Sequence, residues 1–242
     1  MTYLNTFERY EIKYILTDDQ RSRLEHLMSG RMKIDRYGHS TIRNIYYDTD
    51  DYRLIRHSLD RPVYKEKLRV RSYGRISEED DVFVELKKKY DSVVYKRRIA
   101  LPEHTATEWL SGDGQLRVRS QIGDEIEYVR SFYSGIKPKV FISYEREAYY
   151  PTGCEDLRIT LDSNILARDY DLSLLCGVYG SPVINRDLTI LEVKVPGVIP
   201  MWLIRFLDKN GIRKNSISKY GSYYRNMRLA GSADNERGEL YA

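Results

Sequence analysis

The sequence predicts an α+β fold: an antiparallel β-barrel, closed on itself, with helices packed on the outside. Three features point there. Short runs with a two-residue alternation recur along the chain and are rich in β-branched residues and in tyrosine, which makes up 22 of the 242 residues and favours strands. Compact turn signals separate successive runs, as in a meander of hairpins. The polar side of run after run carries Arg and Lys with single carboxylates two residues away, where a solvated face would mix in Ser, Thr and Gln.

Residues 4–16 read as the first strand, with Tyr10, Ile12 and Tyr14 on one side and Arg9, Glu11 and Lys13 on the other. Thr17 stands three residues before Gln20, the spacing of a capping box, so a helix follows. Leu24, Leu27 and Met28 form its apolar stripe and Gly30 lies just past its end. A strand over 41–47 runs into the turn-forming Asp48-Thr49-Asp50-Asp51. Strands over 65–72, 82–88 and 93–101 come next, parted by turns at Tyr73-Gly74 and Tyr90-Asp91-Ser92 and stopped by Pro102. A short helix over 105–110, a loop at Ser111-Gly112-Asp113-Gly114 and a helix marked by Ile122, Ile126, Val129 and Tyr133 fill the middle. Strands return over 138–149, 157–161 and 189–195, and Pro196-Gly197 ends the last. Trp202, Leu203, Phe206 and Leu207 give an amphipathic helix over 199–209. A single domain over 1–230 is expected, followed by a frayed polar tail over 231–242.

Forty Lys and Arg against 36 Asp and Glu leave a net charge of +4, too mild for a nucleic-acid coat. Cys154 and Cys176 make neither a disulfide framework nor a C-x-x-C zinc motif, and His26, His39, His57 and His104 are dispersed. No run approaches the ~20 apolar residues of a membrane span. The first residues, with Glu8 and Arg9, lack a signal-peptide core. The expectation is a soluble, cytoplasmic protein without a membrane segment of its own.

Arg9, Glu11 and Lys13 share one strand face, as do Lys67, Arg69 and Arg71. Glu85 and Lys87, Lys96 and Arg98, Arg158 and Asp162, and Glu192 and Lys194 form similar pairs, and Arg146 shares a face with Tyr144. In a closed barrel these faces line a lumen. Such a lumen repels itself unless a polyanion and a divalent cation fill it. Phosphate suits it, since Arg presents a bidentate fork and Lys a point charge. Hard divalent ions take carboxylate oxygens, which makes Glu192, Glu11 and Asp162 the metal candidates.

Glu11-Ile12-Lys13, Arg69-Val70-Arg71, Glu85-Leu86-Lys87 and Glu192-Val193-Lys194 together resemble the triphosphate tunnel metalloenzyme (CYTH-like) superfamily. Within it the chain is most similar to the polyphosphate polymerase domain of the vacuolar transporter chaperone (VTC) and its bacterial relatives. Tyr46-Tyr47-Asp48-Thr49, Tyr144-Glu145-Arg146, Leu161-Asp162 and Ser218-Lys219-Tyr220 add to the likeness, which runs from about residue 7 to residue 221. It implies an antiparallel tunnel with helices outside, binding ATP and Mn²⁺ or Mg²⁺ and moving the γ-phosphate onto a growing polyphosphate chain. Carried over, Lys13, Arg69, Arg71, Lys87 and Arg146 are the catalytic bases, with Lys96, Ser218 and Lys219 holding substrate and Glu192 the metal. The remaining bases Arg9, Arg98, Arg158 and Lys194 add substrate contacts, and Glu11 and Asp162 stand beside the metal. A one-residue slip would exchange Lys96 for Arg97.

The superfamily's hydrolases begin Glu-x-Glu-x-Lys, whereas this chain has Arg9-x-Glu11-x-Lys13. One acid fewer favours the polymerase over hydrolysis. The alternatives are a tripolyphosphatase or nucleoside triphosphatase on the same barrel, an adenylate cyclase or thiamine triphosphatase, and a non-catalytic sensor of polyphosphate or inositol phosphate. An inositol phosphate regulator and a membrane-bound partner stay open as further partners. RNA is disfavoured because a closed tunnel excludes a duplex. Adenine would need an aromatic such as Tyr47 or Tyr73.

Overall fold

In the computed structural model, which describes residues 10–239 except 92, 115, 117–119, 154 and 155, strand alternation begins with β1 (Tyr10–Thr17). The expected strand start at 4–9, including Arg9, lies outside the described residues, as does Cys154. Helix α1 (Asp18–Met28) opens on the predicted capping box: the Thr17 hydroxyl accepts from the Gln20 amide at 3.3 Å, and the Gln20 side chain accepts from the Thr17 amide at 3.0 Å. Gly30, at φ +77, then reverses the chain as only glycine does without strain. Strand β2 (Met32–Asp48) is longer than expected, because the polar stretch around Gly38 hides its first half and a register shift interrupts it between Ile34 and His39.

Helix α2 (Arg53–Leu59) follows the Asp48 turn and was not foreseen. The expected meander is β3 (Tyr64–Tyr73), β4 (Asp81–Tyr90) and β5 (Val93–Pro102). Next come α3 (Glu103–Ser111) and α4 (Gln121–Phe132), then β6 (Lys137–Pro151) and β7 (Arg158–Arg168). The two-residue β8 (Ser181–Pro182), β9 (Leu188–Val195), α5 (Met201–Lys209) and α6 (Lys219–Glu239) complete the chain. In place of a frayed tail, the backbone of residues 231–239 continues α6, with no proline to interrupt it.

The strands form one antiparallel sheet in the order β1-β9-β7-β6-β2-β3-β4-β5, with β8 added to β7. The predicted closed barrel is corrected in one respect: among the described residues no ladder joins β1 to β5. The outer edge of β1 is taken instead by Asn215, whose amide donates to the Lys13 carbonyl at 2.7 Å. The sheet nevertheless curls until Lys87 of β4 reaches Glu11 of β1, 3.5 Å away.

Register puts the apolar residues of most strands on the outside. Leu68, Val70, Val84 and Leu86 pack there against Trp109, Ile126 and Val129 of α3 and α4. Leu16, Ile159, Leu191 and Val193 pack against Leu24 of α1 and Leu203 and Phe206 of α5. A third core fills one end of the curl: Ile42, Ile142, Tyr144 and Ile190 meet Ile55 of α2 and Tyr220 of α6. No helix is long and apolar enough to cross a membrane among the described residues.

Asp48 ties that end together. Its buried carboxylate accepts from the Thr49 and Leu54 amides at 2.9 Å, the Ile55 amide at 3.0 Å and the Tyr220 hydroxyl at 2.9 Å. These bonds cap α2 and hold the first turn of α6. Asp48→Ala leaves several buried donors unpaired and is expected to cost about 3 kcal/mol in urea unfolding; a loss within ~0.5 kcal/mol of wild type would show that the carboxylate does not join the two helices.

Candidate functional site

Directly opposed residues of an antiparallel pair share a face, so the register can be followed around the curl. Lys13 faces Glu192 and Glu11 faces Lys194. Glu192 faces Thr160, Lys194 faces Arg158, and Asp162 of the same strand faces Arg146. Asn44 of β2 faces Arg71, Tyr46 faces Arg69, and Arg69 faces Glu85. Lys67 and Lys96 both face Lys87, and Arg98 faces Glu85. All the sequence-predicted strand residues within the described chain therefore share the concave face. The slip that would exchange Lys96 for Arg97 does not occur: Arg97 points outward, 3.7 Å from Glu125 of α4. Ser218 and Lys219 enter from the start of α6, a helix that the sequence reading missed.

The carboxylates sit in a web of cations. Asp162, fully buried, is held in bidentate fashion by Arg146 at 2.6 and 2.7 Å and by Lys219 at 2.5 Å. Glu192 lies 3.2 Å from Lys13, 3.4 Å from Lys194 and 3.5 Å from Arg146. Glu85 takes Arg69 at 2.7 Å and Lys96 at 2.5 Å, with Arg71 at 3.9 Å. Glu11 lies 3.3 Å from Lys13. Arg71 also donates to Asn44 at 2.9 Å and to the Tyr144 hydroxyl at 3.1 Å, and Arg69 to the Tyr46 hydroxyl at 2.9 Å. Arg98 stacks on Phe83 and Arg158 on Tyr150.

This web sets the protonation states. Burial raises the Glu85 and Glu11 carboxyls, but the surrounding cations outweigh it: Arg69, Arg71 and Lys96 bring Glu85 to about 2, and Lys87, aided by Lys13 and Lys194, brings Glu11 to about 2. Glu192 and Asp162 are likewise buried yet held below the usual carboxylate range by their neighbouring bases. Burial, reinforced by Arg71 and Arg69 and opposed by Glu85, lowers the Lys96 ammonium to about 8. The Tyr144 phenol, which burial alone would raise, is pulled below its ordinary value by Arg146, Arg71 and Lys219.

Cations outnumber these four carboxylates by more than two to one, so the face suits an anion of several charges. The residues also fit a hard divalent ion. Glu192 and Glu11 bracket Lys13, and the Thr160 hydroxyl beside Glu192 is buried without a hydrogen-bond partner. Asp162 is held more tightly, with Arg146 and Lys219 at 2.5 to 2.7 Å from its two oxygens, whereas the nearest bases to Glu192 and Glu11 stand 3.2 to 3.5 Å away. No group of three or more His, Cys, Asp and Glu gathers into a metal cluster among the described residues. Of the aromatics proposed for adenine, Tyr47 is corrected: it is buried in the outer core. Tyr73 is half-exposed and meets Phe83 edge-on.

Comparison with known proteins agrees with this arrangement. The chain is 26% identical over 189 residues to vacuolar transporter chaperone complex subunit 4 of Trypanosoma brucei brucei, covering 64% of this chain and 24% of that protein. It is 27% identical over 148 residues to the Schizosaccharomyces pombe subunit 4, covering 52% of this chain and 20% of that protein. The match thus spans a quarter or less of the length of these relatives. Two solved structures share the fold, each at 16% identity. One is a proposed adenylate cyclase from Bacillus halodurans, with a TM-score of 0.55 over 87% of this chain and 95% of that one. The other is a proposed adenylyl cyclase from Hippeastrum with a dominant triphosphatase activity, with a TM-score of 0.50 over 89% and 95%. The VTC domain profile matches residues 8–228, a segment that holds the nine strands and the ion-paired face of the described residues, and the chain belongs to the VTC domain family.

Proposed function

We propose that the chain is an inorganic polyphosphate polymerase, transferring the γ-phosphate of ATP to the end of a growing phosphate chain. The observation that carries this is the concave face itself, where bases from seven strands, most of them half-buried, surround carboxylates too few to neutralise them. A linear polyanion supplies the missing charge along the length of the curl.

Arg69 and Arg71, held side by side by Glu85, Asn44 and tyrosine hydroxyls, would grip the β- and γ-phosphates with their remaining donors. Lys87 and Lys96 stand on the next strands to neutralise charge on the leaving ADP. Arg146, Lys13 and Lys219 would align the terminal phosphate of the chain, with Asp162 fixing the orientation of Arg146 and Lys219. Arg98, Arg158, Lys194 and Ser218 would extend the track. Glu192 and Glu11 would hold Mn²⁺ or Mg²⁺, which neutralises phosphate oxygens when bound. In the transfer an oxygen of the chain's terminal phosphate bonds to the γ-phosphorus as the β–γ bridging bond breaks, and ADP leaves with that electron pair. No protein nucleophile and no net proton transfer are needed.

The deciding assay is incubation of the purified protein with ATP and Mn²⁺, with products resolved by gel and by phosphate release. Long phosphate chains with ADP are expected. Free phosphate without chains would assign a hydrolase, and tight polyphosphate binding without turnover a sensor. Arg69→Ala is expected to lower turnover about 10²–10³-fold, as for loss of one preorganised donor to transition-state charge. Glu85 keeps Lys96 and Arg71 in that variant, so the circular dichroism spectrum should be retained; wild-type turnover would remove Arg69 from the site. The pH profile has a definite sign. Lys96 is cationic below about 8, so kcat/KM should fall as pH rises through that value. Glu11, at about 2, stays ionised throughout the neutral range and adds no acid limb there. A profile flat to pH 10 would exclude Lys96 from substrate binding.

A further inference from the structure

Lys67, Lys87 and Lys96 stand directly opposite one another across β3, β4 and β5. Like charges so placed destabilise a sheet. Two of the three are compensated, Lys87 by Glu11 at 3.5 Å and Lys96 by Glu85 at 2.5 Å. Lys67 has no carboxylate partner among the described residues, and its ammonium donates only to the neutral Ser218 hydroxyl oxygen, at 3.0 Å. The charged groups that bear on it most are Lys87 from β4, Lys13 from β1, and Lys65 and Arg69 from its own strand, every one a cation. An enclosed ammonium in such company costs stability unless an anion completes its shell.

Ser218 is set to help. Its oxygen accepts from Lys67 and from the Gly221 amide in the first turn of α6, at 3.2 Å. Both contacts use its lone pairs, which leaves the hydroxyl hydrogen to donate. We propose that Lys67 is a phosphate-contacting residue of the interior, where the anionic chain is gripped between β3 and Ser218 at the start of α6. This rests on the reading of the concave face as a phosphate-chain site and adds a residue to it. The electrostatics supply a signature. Burial, then Lys87 and Lys13, then Lys65 and Arg69, lower the Lys67 ammonium to about 7. At pH 8 the side chain of the empty protein is therefore mostly neutral, and a phosphate oxygen beside it favours the charged form. Binding then draws a proton from solution.

The test is titration calorimetry with tripolyphosphate at pH 8, in two buffers of different protonation enthalpy, on wild type, Lys67→Met and Lys67→Arg. Thermal unfolding of each protein without ligand accompanies it. Lys67→Met should bind about tenfold or more weakly, in keeping with loss of a charge-assisted contact. It should also take up fewer protons, by about half a proton or more. Because Lys96 contributes uptake of its own, the difference from wild type is the quantity read. Empty Lys67→Met should unfold at a higher temperature than wild type, since the cost of enclosing the lysine among cations, met at pH 8 by giving up its proton, is gone; a purely structural lysine would give the reverse. Lys67→Arg, permanently charged, should recover affinity without recovering the uptake. Unchanged affinity and uptake in Lys67→Met would overturn the assignment, as would a less stable Lys67→Met whose affinity Lys67→Arg fails to restore. Absence of tripolyphosphate binding by the wild type would instead overturn the phosphate reading of the face, and this inference with it.

Discussion

The structure depends on one electrostatic constraint: more positive charge is turned into the concave face than the face itself can neutralise. Burying an ion is costly, and a pair repays the cost only with close, well-directed contacts. Here the deepest carboxylates meet that condition. Asp162 engages Arg146 through two parallel bonds and Lys219 through a third, while Glu85 joins bases from β3 and β5. These contacts lock the directions of the bases, yet Arg69, Arg71 and Arg146 retain donors that the carboxylates do not saturate. What stabilises the empty protein and what would recognise a polyanion are the same groups.

Such an interior is sustainable because the ordinary hydrophobic core has moved elsewhere. The outward faces of the strands carry the apolar residues, and α1, α3, α4 and α5 exclude water from them. The third core closes one end of the curl, where α2 and α6 meet over Ile42, Tyr144 and Ile190. Tyr144 belongs to both worlds: its ring packs in that core, and its hydroxyl accepts from Arg71. Asp48 then couples the cap of α2 to Tyr220, one residue beyond Lys219. The geometry of the ion-paired layer is thereby tied to the packing of the closed end.

The alternation of charged and apolar residues made the two faces of most strands legible in the sequence. Glu11 and Lys13, Arg69 and Arg71, and Glu192 and Lys194 stand where period two puts them. The capping box at Thr17 and the glycine at position 30 were equally readable, because both are local signals. What escaped was either non-local or locally ambiguous. The run Arg53–Leu59 is short, and its N-terminus is secured by Asp48 five residues earlier together with a left-handed Tyr52, not by a recognisable cap residue. The first half of β2 lacks alternation. Sheet closure turned on Asn215 occupying the edge of β1, a contact between positions about 200 residues apart that no periodicity encodes. Asp162 illustrates the same limit within the site: its residue type suits a metal, and only the structure reveals the two bases that occupy its oxygens.

That occupancy also bears on the choice between transfer to phosphate and transfer to water. A carboxylate that takes a proton from attacking water serves best when its affinity for protons is raised. The four carboxylates paired with bases on the concave face are shifted the other way. Glu11 and Glu85 lie at about 2, and Glu192 and Asp162 are also depressed by their neighbouring bases. A terminal phosphate is already anionic and requires no such help; it requires alignment and relief from charge repulsion. Those are the two things a dense, directed array of bases provides, and they suit the phosphate-chain acceptor of the proposed reaction.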